Sequence, residues 1–338
     1  MDLTGMRVGV IGTGATAVQL VPEIAGRAAE VRVYSRTPTF LSPTPKLRRD
    51  LGAEELALLA GLPHYRAWYR AVEVLPTIEG NLAMVTVDPA FPPTERAVSA
   101  PNEQLRAVLQ GWIDVQTEDD PHLRAALTPR FPFGAKRWVT DDGTWVATLK
   151  RPDVHLVDEP IEEITATGVR TVDGHDDLDV IVYATGYRPA EFLAPMRVTG
   201  RGGADLTGQW SGDEARAYLG ACVPGFPNFF CLFGPNTSNV VHLVSIFFVS
   251  ECGVRYVLDA VRTLLESGSR SIEVRADVAQ AYAERLEAAS AQRAWGFSTV
   301  RSWYRNSRGR STQLWPFSAM ELWQRTRRVD PADFRLDA

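Results

Sequence analysis

Cysteine is scarce. The chain has three, Cys222, Cys231 and Cys252, and none stands in CxxC spacing. That is too few for a disulfide framework and fits a reducing cytoplasm. No HExxH, paired Cys/His pattern or GxSxG occurs, which removes the zinc-protease and serine-hydrolase readings and leaves no metal expected. The five histidines are scattered and read as structural or surface residues. Positive charge is not in excess either. The net charge of −5 gives no basic field to recruit nucleic acid. The arginines from Arg301 to Arg328 are interleaved with Trp, Tyr, Asp and Glu, as on a solvated face or in local ion pairs. The longest apolar run, Val240 to Val249, is broken by His242 and Ser245 and falls short of the ~20 residues of a membrane span. The first apolar stretch runs into a glycine turn, so it reads as a strand and not a signal peptide. A soluble, cytoplasmic protein is expected.

What is present is globular. Apolar residues make up 45% and charged residues 23% of 338 residues, enough for two domains and a substantial core. Arg7 to Ile11 reads as a short buried strand. Gly12-Thr13-Gly14-Ala15-Thr16-Ala17 follows at once, then Val18, Leu20, Val21 and Ile24 at helical spacing. Gly26 marks the approximate stop, and Val31 to Tyr34 reads as a second strand. A strand, a glycine turn, a helix and a strand in this order open a doubly wound α/β domain.

A GxGxxA match gains meaning from that context. Gly12 permits the tight turn, Gly14 lets a pyrophosphate approach bare backbone, and Ala17 allows close packing of helix on strand. The amides at the helix start then point at the phosphates, aided by the helix dipole. The alternative is a glycine turn with no ligand. An NAD-specific site places Asp or Glu at the end of the second strand. Here Tyr34-Ser35-Arg36-Thr37 stands there instead. A carboxylate would repel a 2′-phosphate, whereas the Arg36 guanidinium matches one, so NADP(H) is favoured. The alternative is a surface arginine that ends a strand.

From Pro43 to about Pro132 the texture turns helical, with Leu51 to Leu62 and Leu105 to Trp112 as helices. Asp153 to Val157 returns as a parallel-type strand. Ile161 to Thr165 and Val169 to Val172 form a hairpin about Thr167-Gly168, followed by a turn at Asp173-Gly174. Leu178 to Tyr183 is a further strand that exits through Ala184-Thr185-Gly186. Small residues there would let a ligand lie against backbone, or simply make a tight exit. An apolar strand, Phe229 to Phe233, precedes Gly234-Pro235-Asn236-Thr237, which is equally two-sided. A long helix spans roughly Val244 to Glu266, and another Val278 to Gln292. Trp295, Phe297, Trp303 and Phe317 hint at an aromatic pocket, although such residues more often form core.

Several blocks, in order, resemble class I Baeyer–Villiger monooxygenases, most closely the 4-hydroxyacetophenone monooxygenase branch. They are Gly12 to Gln19 with Ser35-Arg36-Thr37-Pro38, Phe133 to Arg137, Val180 to Tyr187, and Tyr218-Leu219-Gly220 through Gly225-Phe226-Pro227-Asn228 to Thr237. The tail Ser302-Trp303-Tyr304-Arg305-Asn306 with Gly309-Arg310 fits too. The resemblance implies roles. Arg137 would be catalytic, stabilising the flavin peroxide that attacks a ketone. Lys136 would be a second contact to the 2′-phosphate beside Arg36 and Thr37, and Gln19 a pyrophosphate contact. Ala184, Thr185 and Gly186 would approach the flavin, and Trp303 with Asn306 would close over the nicotinamide side. Where relatives carry a Gly-His-rich loop, this chain reads Ser238-Asn239-Val240-Val241-His242.

The expected architecture is therefore α/β, with a Rossmann-type NADPH-binding domain over residues 1–45 and 131–180. A helical insertion would occupy 46–130, and 181–338 would be the rest of an FAD-binding domain with a C-terminal tail. The expected function is NADPH- and FAD-dependent insertion of oxygen beside a ketone, with O2 as co-substrate. Family members open with a first fingerprint that holds FAD, and only one fingerprint occurs here. A separate FAD-domain polypeptide, or truncation, is the corresponding expectation. It carries a second one, that the strands near Val180 and Phe229 belong to a sheet completed elsewhere. The alternative is a non-catalytic NADP-binding partner or sensor. A simple NADPH-linked reductase ranks last, because no Tyr-x-x-x-Lys pair or catalytic cysteine couple supports it.

Overall fold

The computed structural model describes residues 1–45, 48–80, 82–92, 94–238 and 246–337. In chain order the first elements are β1 (Arg7–Ile11), α1 (Ala15–Ile24), β2 (Glu30–Tyr34), β3 (Leu41–Pro43), α2 (Ala53–Gly61), α3 (Tyr65–Gly80), α4 (Ala100–Gln116) and α5 (Pro121–Leu127). Next come β4 (Val139–Asp141), α6 (Thr144–Leu149), β5 (Val154–Val157), β6 (Ile161–Ile164), β7 (Gly168–Thr171), β8 (Gly174–Asp177) and β9 (Val180–Tyr183). The remainder holds α7 (Leu206–Gln209), α8 (Ile246–Ser267), β10 (Ser271–Val274), α9 (Ala276–Ala291), α10 (Ala294–Phe297), α11 (Ala319–Arg325) and β11 (Phe334–Asp337).

The chain forms two compact units. One comprises Met1–Leu51, Glu103–Phe133 and Arg137–Tyr187; the other comprises Gly52–Asn102, Gly134–Lys136 and Arg188–Ala338. The stretch expected as a helical insertion is thus shared between them.

In the first unit a parallel sheet runs in the order β5-β2-β1-β9. Val8, Val10, Val31 and Val33 are fully buried on it, as expected where helices cover a parallel sheet. Gly9 sits between two of them, and a Cβ there would lie 2.5 Å from the end of the Leu178 side chain. Helix α1 lays Ala17, Val18, Val21 and Ile24 onto this core, which also takes Ile113, Trp145 and Val154. The expected doubly wound α/β class is the one observed.

Three local expectations need correction. The Val180 strand does not await a sheet elsewhere: β9 pairs with β1 in parallel, Val8 opposite Val180 through Ile11 opposite Tyr183. Phe229 to Phe233 is not a strand and makes one isolated bridge, Cys222 to Phe230. Left-handed residues at Asn228 and Phe233 bracket it and end any ladder. The hairpin about Gly168 gains a third strand, β8. The long helix begins at Ile246; its expected start at Val244, and the segment from Asn239 to His242, lie outside the described residues.

The second unit packs α8 and α9 around the antiparallel pair β10–β11, with Tyr218, Cys222, Tyr256, Tyr282 and Trp315 buried among them. Glu273 is buried yet satisfied, accepting from the Gly225 amide at 2.9 Å and from Arg201 at 3.1 Å. All three cysteines are free and buried, and burial pushes the Cys231 thiol up to about 11. Of the aromatic residues that hinted at a pocket, Trp295 is fully buried in the interior. Phe317 lies beneath the Arg285 guanidinium, which is 4.0 Å from its ring.

Trp145 is 2% exposed in the first unit's core. Trp145→Ala is expected to lower unfolding free energy by about 3–5 kcal/mol, read by equilibrium urea denaturation. A loss under about 1 kcal/mol would contradict this packing.

Candidate functional site

The end of β1 and the start of α1 set the geometry. Gly12 has φ +113°, a conformation that disfavours any side chain. A Cβ there would stand 2.6 Å from the Ala184 carbonyl oxygen. The Gly12 amide donates to the Tyr34 carbonyl at 2.9 Å, and Ala184 donates to Ile11 at 2.9 Å. Three strand ends therefore meet at this residue, those of β1, β2 and β9. The chain then turns into α1 with Gly14 as N-cap and no side chain capping the helix. Its first turn holds no acidic residue. Amides at a helix start lack intrahelical acceptors and carry the positive end of the dipole. Around Gly14 no heavy atom would come within 4 Å of an added Cβ, so the backbone faces open space. That combination is an anion seat.

Two further segments close on the same turn. Thr13 Oγ1 makes a long hydrogen bond of 3.5 Å to the Thr37 carbonyl. Arg36, just beyond β2, is exposed, and its guanidinium has no ion-pair partner among the described residues. Thr39 Oγ1 donates to the Arg137 carbonyl at 2.6 Å, while Val139 donates to Phe40 at 2.9 Å. The parallel pair β3–β4 continues this contact and holds Arg137 next to the segment that carries Arg36. The Arg137 side chain is exposed. Phe40, wedged edge-on against Phe131 and Phe133 with centroids at 5.5 and 5.7 Å, stiffens the junction.

The first unit thus brings together Gly12 to Ala17, Arg36, Thr37, Arg137 and Ala184 to Gly186. Gln19 lies on the exposed side of α1, its amide turned back to the Ala15 carbonyl at 3.0 Å. Gly186 has φ +91° and lies exposed past the strand exit. Lys136, Trp303 and Asn306 belong to the second unit. There Trp303 is half-buried against Tyr304, with ring centroids 4.7 Å apart. Asn306 is buried and committed to its own loop. Its Nδ2 donates to Glu214 Oε1 at 2.6 Å, and its Oδ1 accepts from the amides of Arg308 and Arg310. A fully engaged carboxamide orders this loop and has no free group to offer a cofactor.

Sequence reasoning missed the partners of that loop. Glu214 Oε2 accepts from Arg310 Nε at 2.7 Å, and Asp213 accepts from the Ser307 amide at 2.8 Å. Burial opposes ionisation of Glu214, but the Arg310 and Asn306 hydrogen bonds outweigh it and hold its carboxyl below the usual range. Arg310 belongs to a motif legible in the sequence. Nothing in the spacing pointed to an acid some ninety residues earlier.

No family model matches the chain. Individual proteins do. The chain is 36% identical over 339 residues to the FAD-binding monooxygenase ktnD of Aspergillus niger, covering 99% of this chain and 53% of that protein. It is 31% identical over 340 residues to a Baeyer–Villiger monooxygenase of Pseudomonas aeruginosa, covering 99% of this chain and 60% of that protein. Among solved structures, OTEMO in complex with FAD and NADP matches with a TM-score of 0.78 and 26% identity, over 99% of this chain and 67% of that one. The chain therefore spans between half and about three fifths of the length of the curated relatives it matches. The proteins it resembles are Baeyer–Villiger and FAD-binding monooxygenases. The structural likeness covers both units.

Gly12→Ala is expected to reduce dinucleotide affinity at least tenfold, because the left-handed turn and the Ala184 carbonyl both oppose a methyl group. Titration monitored by quenching of tryptophan fluorescence checks this. Wild-type affinity in the variant would contradict the geometry.

Proposed function

We propose that the chain is the NADPH-binding part of a flavin-dependent monooxygenase of the Baeyer–Villiger type, which inserts oxygen beside a ketone at the expense of O2 and NADPH. The observation that carries this reading is the uncapped start of α1 behind Gly12 and Gly14, with Arg36 at the end of β2 lacking an ion-pair partner among the described residues. These residues fit NADP(H). The open backbone at Gly14 accommodates a pyrophosphate, and the absence of an acid in the Tyr34–Thr37 segment removes the repulsion that a 2′-phosphate would meet. When bound, NADPH supplies hydride and FAD activates oxygen.

The chain's own residues then do the following. Amides of residues 13–17 bind the pyrophosphate, with Gln19 on the flank. Arg36, Thr37 and Lys136 orient the 2′-phosphate. Arg137 places a cationic fork where negative charge develops on oxygen, the preorganised electrostatic role that a guanidinium suits. Ala184, Thr185 and Gly186 give a small-residue strand exit against which the flavin can lie. Trp303 covers the nicotinamide side, on a loop that Asn306 orders from within. In this reading residues 1–45 and 131–180 are the NADPH domain and 181–338 belong with the flavin. FAD is shared with polypeptide outside these 338 residues, on the same chain or a separate one. The motif blocks favour the 4-hydroxyacetophenone branch and hence an aryl ketone. Three buried free thiols support a reducing, cytoplasmic setting. Among the described residues, no helix is long and apolar enough to cross a membrane.

Two variants test the assignment. Arg36→Ala is expected to weaken NADPH by about tenfold or more while changing NADH little, since only the former loses a charge-assisted contact. Equal losses for both would remove Arg36 from the phosphate. Arg137→Ala, assayed with FAD and an aryl ketone in the flavin-loaded enzyme, is expected to lower oxygenation about a hundredfold or more, with NADP+ affinity nearly unchanged. Undiminished oxygenation would end its catalytic role.

A further inference from the structure

The tail loop that carries Trp303 is closed on itself and then fastened at two places. The Asn306 amide donates to the Arg310 carbonyl at 2.9 Å, the Thr312 amide donates to Tyr304 at 3.1 Å, and Arg305 pairs with Ser311 across the loop. Arg305 reinforces it through the Gly309 carbonyl at 2.7 Å. These bonds fix the loop's shape but not its place. Asn236 holds the far end, its amide donating to the Thr312 carbonyl at 2.9 Å and its Nδ2 to the Ser311 carbonyl at 2.8 Å, and residues 213–215 hold the tip next to Trp303. Glu214 receives Asn306 on one carboxylate oxygen and Arg310 on the other, at 2.6 and 2.7 Å. Asp213 receives the Ser307 amide, and the Ala215 carbonyl receives a second Arg310 nitrogen at 3.0 Å. The side chains of Glu214 and Arg310 are 14% and 13% exposed, so water competes poorly for this pair.

We propose that Glu214 is a positioning residue: its carboxylate is the clasp that holds the Trp303 loop in the posture in which Trp303 meets the dinucleotide. The proposal rests on the reading of Trp303 given above. Its chemistry requires a carboxylate. Asn306 Nδ2 and Arg310 Nε are both donors, and two acceptor oxygens face them. A glutamine offers one acceptor and one donor, so whichever way it turns, one donor meets another. Glutamate is therefore required here in a way that size and polarity alone would not require.

The test uses Glu214→Gln, Trp303→Ala, the double variant, and Glu287→Gln as control. Glu287 pairs with Arg216 at 2.8 Å and stands 3.9 Å from Arg310 Nε, with no hydrogen bond to Arg310 or Asn306. Two readouts are taken on each full chain: hydrogen exchange of the amides over residues 302–312, and NADP+ affinity by titration. For Glu214→Gln, exchange at Ser307, Arg310 and Thr312 is expected to speed up about tenfold or more, while β1 and β2 amides stay protected as in wild type. NADP+ affinity is expected to fall about threefold to tenfold. Trp303→Ala should show a similar fall, and the double variant should fall no further than the worse single one, because both changes remove the same contact. Glu287→Gln should match wild type in both readouts.

Unchanged exchange in Glu214→Gln overturns the clasp. Faster exchange with undiminished NADP+ affinity, in a protein where Trp303→Ala does weaken NADP+, overturns the positioning role. If Trp303→Ala leaves NADP+ affinity untouched, the assignment of Trp303 to the dinucleotide fails and takes the positioning role with it. The exchange data alone would then still decide whether the clasp exists.

Discussion

A helix start without a cap governs the first unit. Buried or partner-free amides at such a start are costly unless something accepts from them, and proteins ordinarily provide a Ser, Thr, Asp or Asn for the purpose. The helices at Asp120, Asp205 and Ser318 do have such caps, whereas those at Gly143, Arg275 and Arg293, like α1, have none. Helix α1 has glycine there instead, and no acid in its first turn. The turn that leads into it is held by the convergence of three strand ends on Gly12, where a side chain has no room. The fold thus fixes the position of a set of donors open to an acceptor from outside the protein.

The other first-unit residues of the candidate site are arranged by short tethers to that turn. Thr13 reaches toward the Thr37 carbonyl, the next residues run into β3, and Thr39 ties β3's entry to Arg137. Arg137 lies 98 residues along the chain from Thr39, its neighbour in space, and would be hard to hold there on a loose loop. Here a parallel two-stranded ladder and an aromatic wedge at Phe40 hold it. In the second unit the same economy recurs in a different form. The loop that bears Trp303 is shaped by its own backbone bonds and placed by Asn236 at one end and by the Glu214 carboxylate and its neighbours at the other.

Much of the first unit could be read from residues alone, because its signals are local. The β1–α1–β2 run depends on a β-branched strand, two glycines and helical spacing, all within a few turns of chain. The strand at Val154 and the hairpin about Gly168 were legible for the same reason. The errors came where long-range pairing decides. Val180 to Tyr183 reads as a strand in isolation, but only the folded chain shows that β1 is its neighbour. Phe229 to Phe233 has strand composition, yet the left-handed residues on either side deny it a partner. β10 and β11 pair across sixty residues and gave no usable pattern. The Glu214 clasp is of this kind too, and no spacing rule joins it to Asn306. Arg137 is a different case. Its motif was recognisable, but that Thr39 and β3 hold it was not.

The central claim is that the open amides of α1 and the Arg36 guanidinium together grip a 2′-phosphorylated dinucleotide. A crystal structure of the chain grown with NADP+ tests it most directly. The account predicts pyrophosphate oxygens accepting from the amides around Gly14 to Thr16, with the 2′-phosphate within hydrogen-bond reach of Arg36. A dinucleotide bound elsewhere, or one seated at α1 with its 2′-phosphate pointing away from Arg36 into solvent, would contradict it.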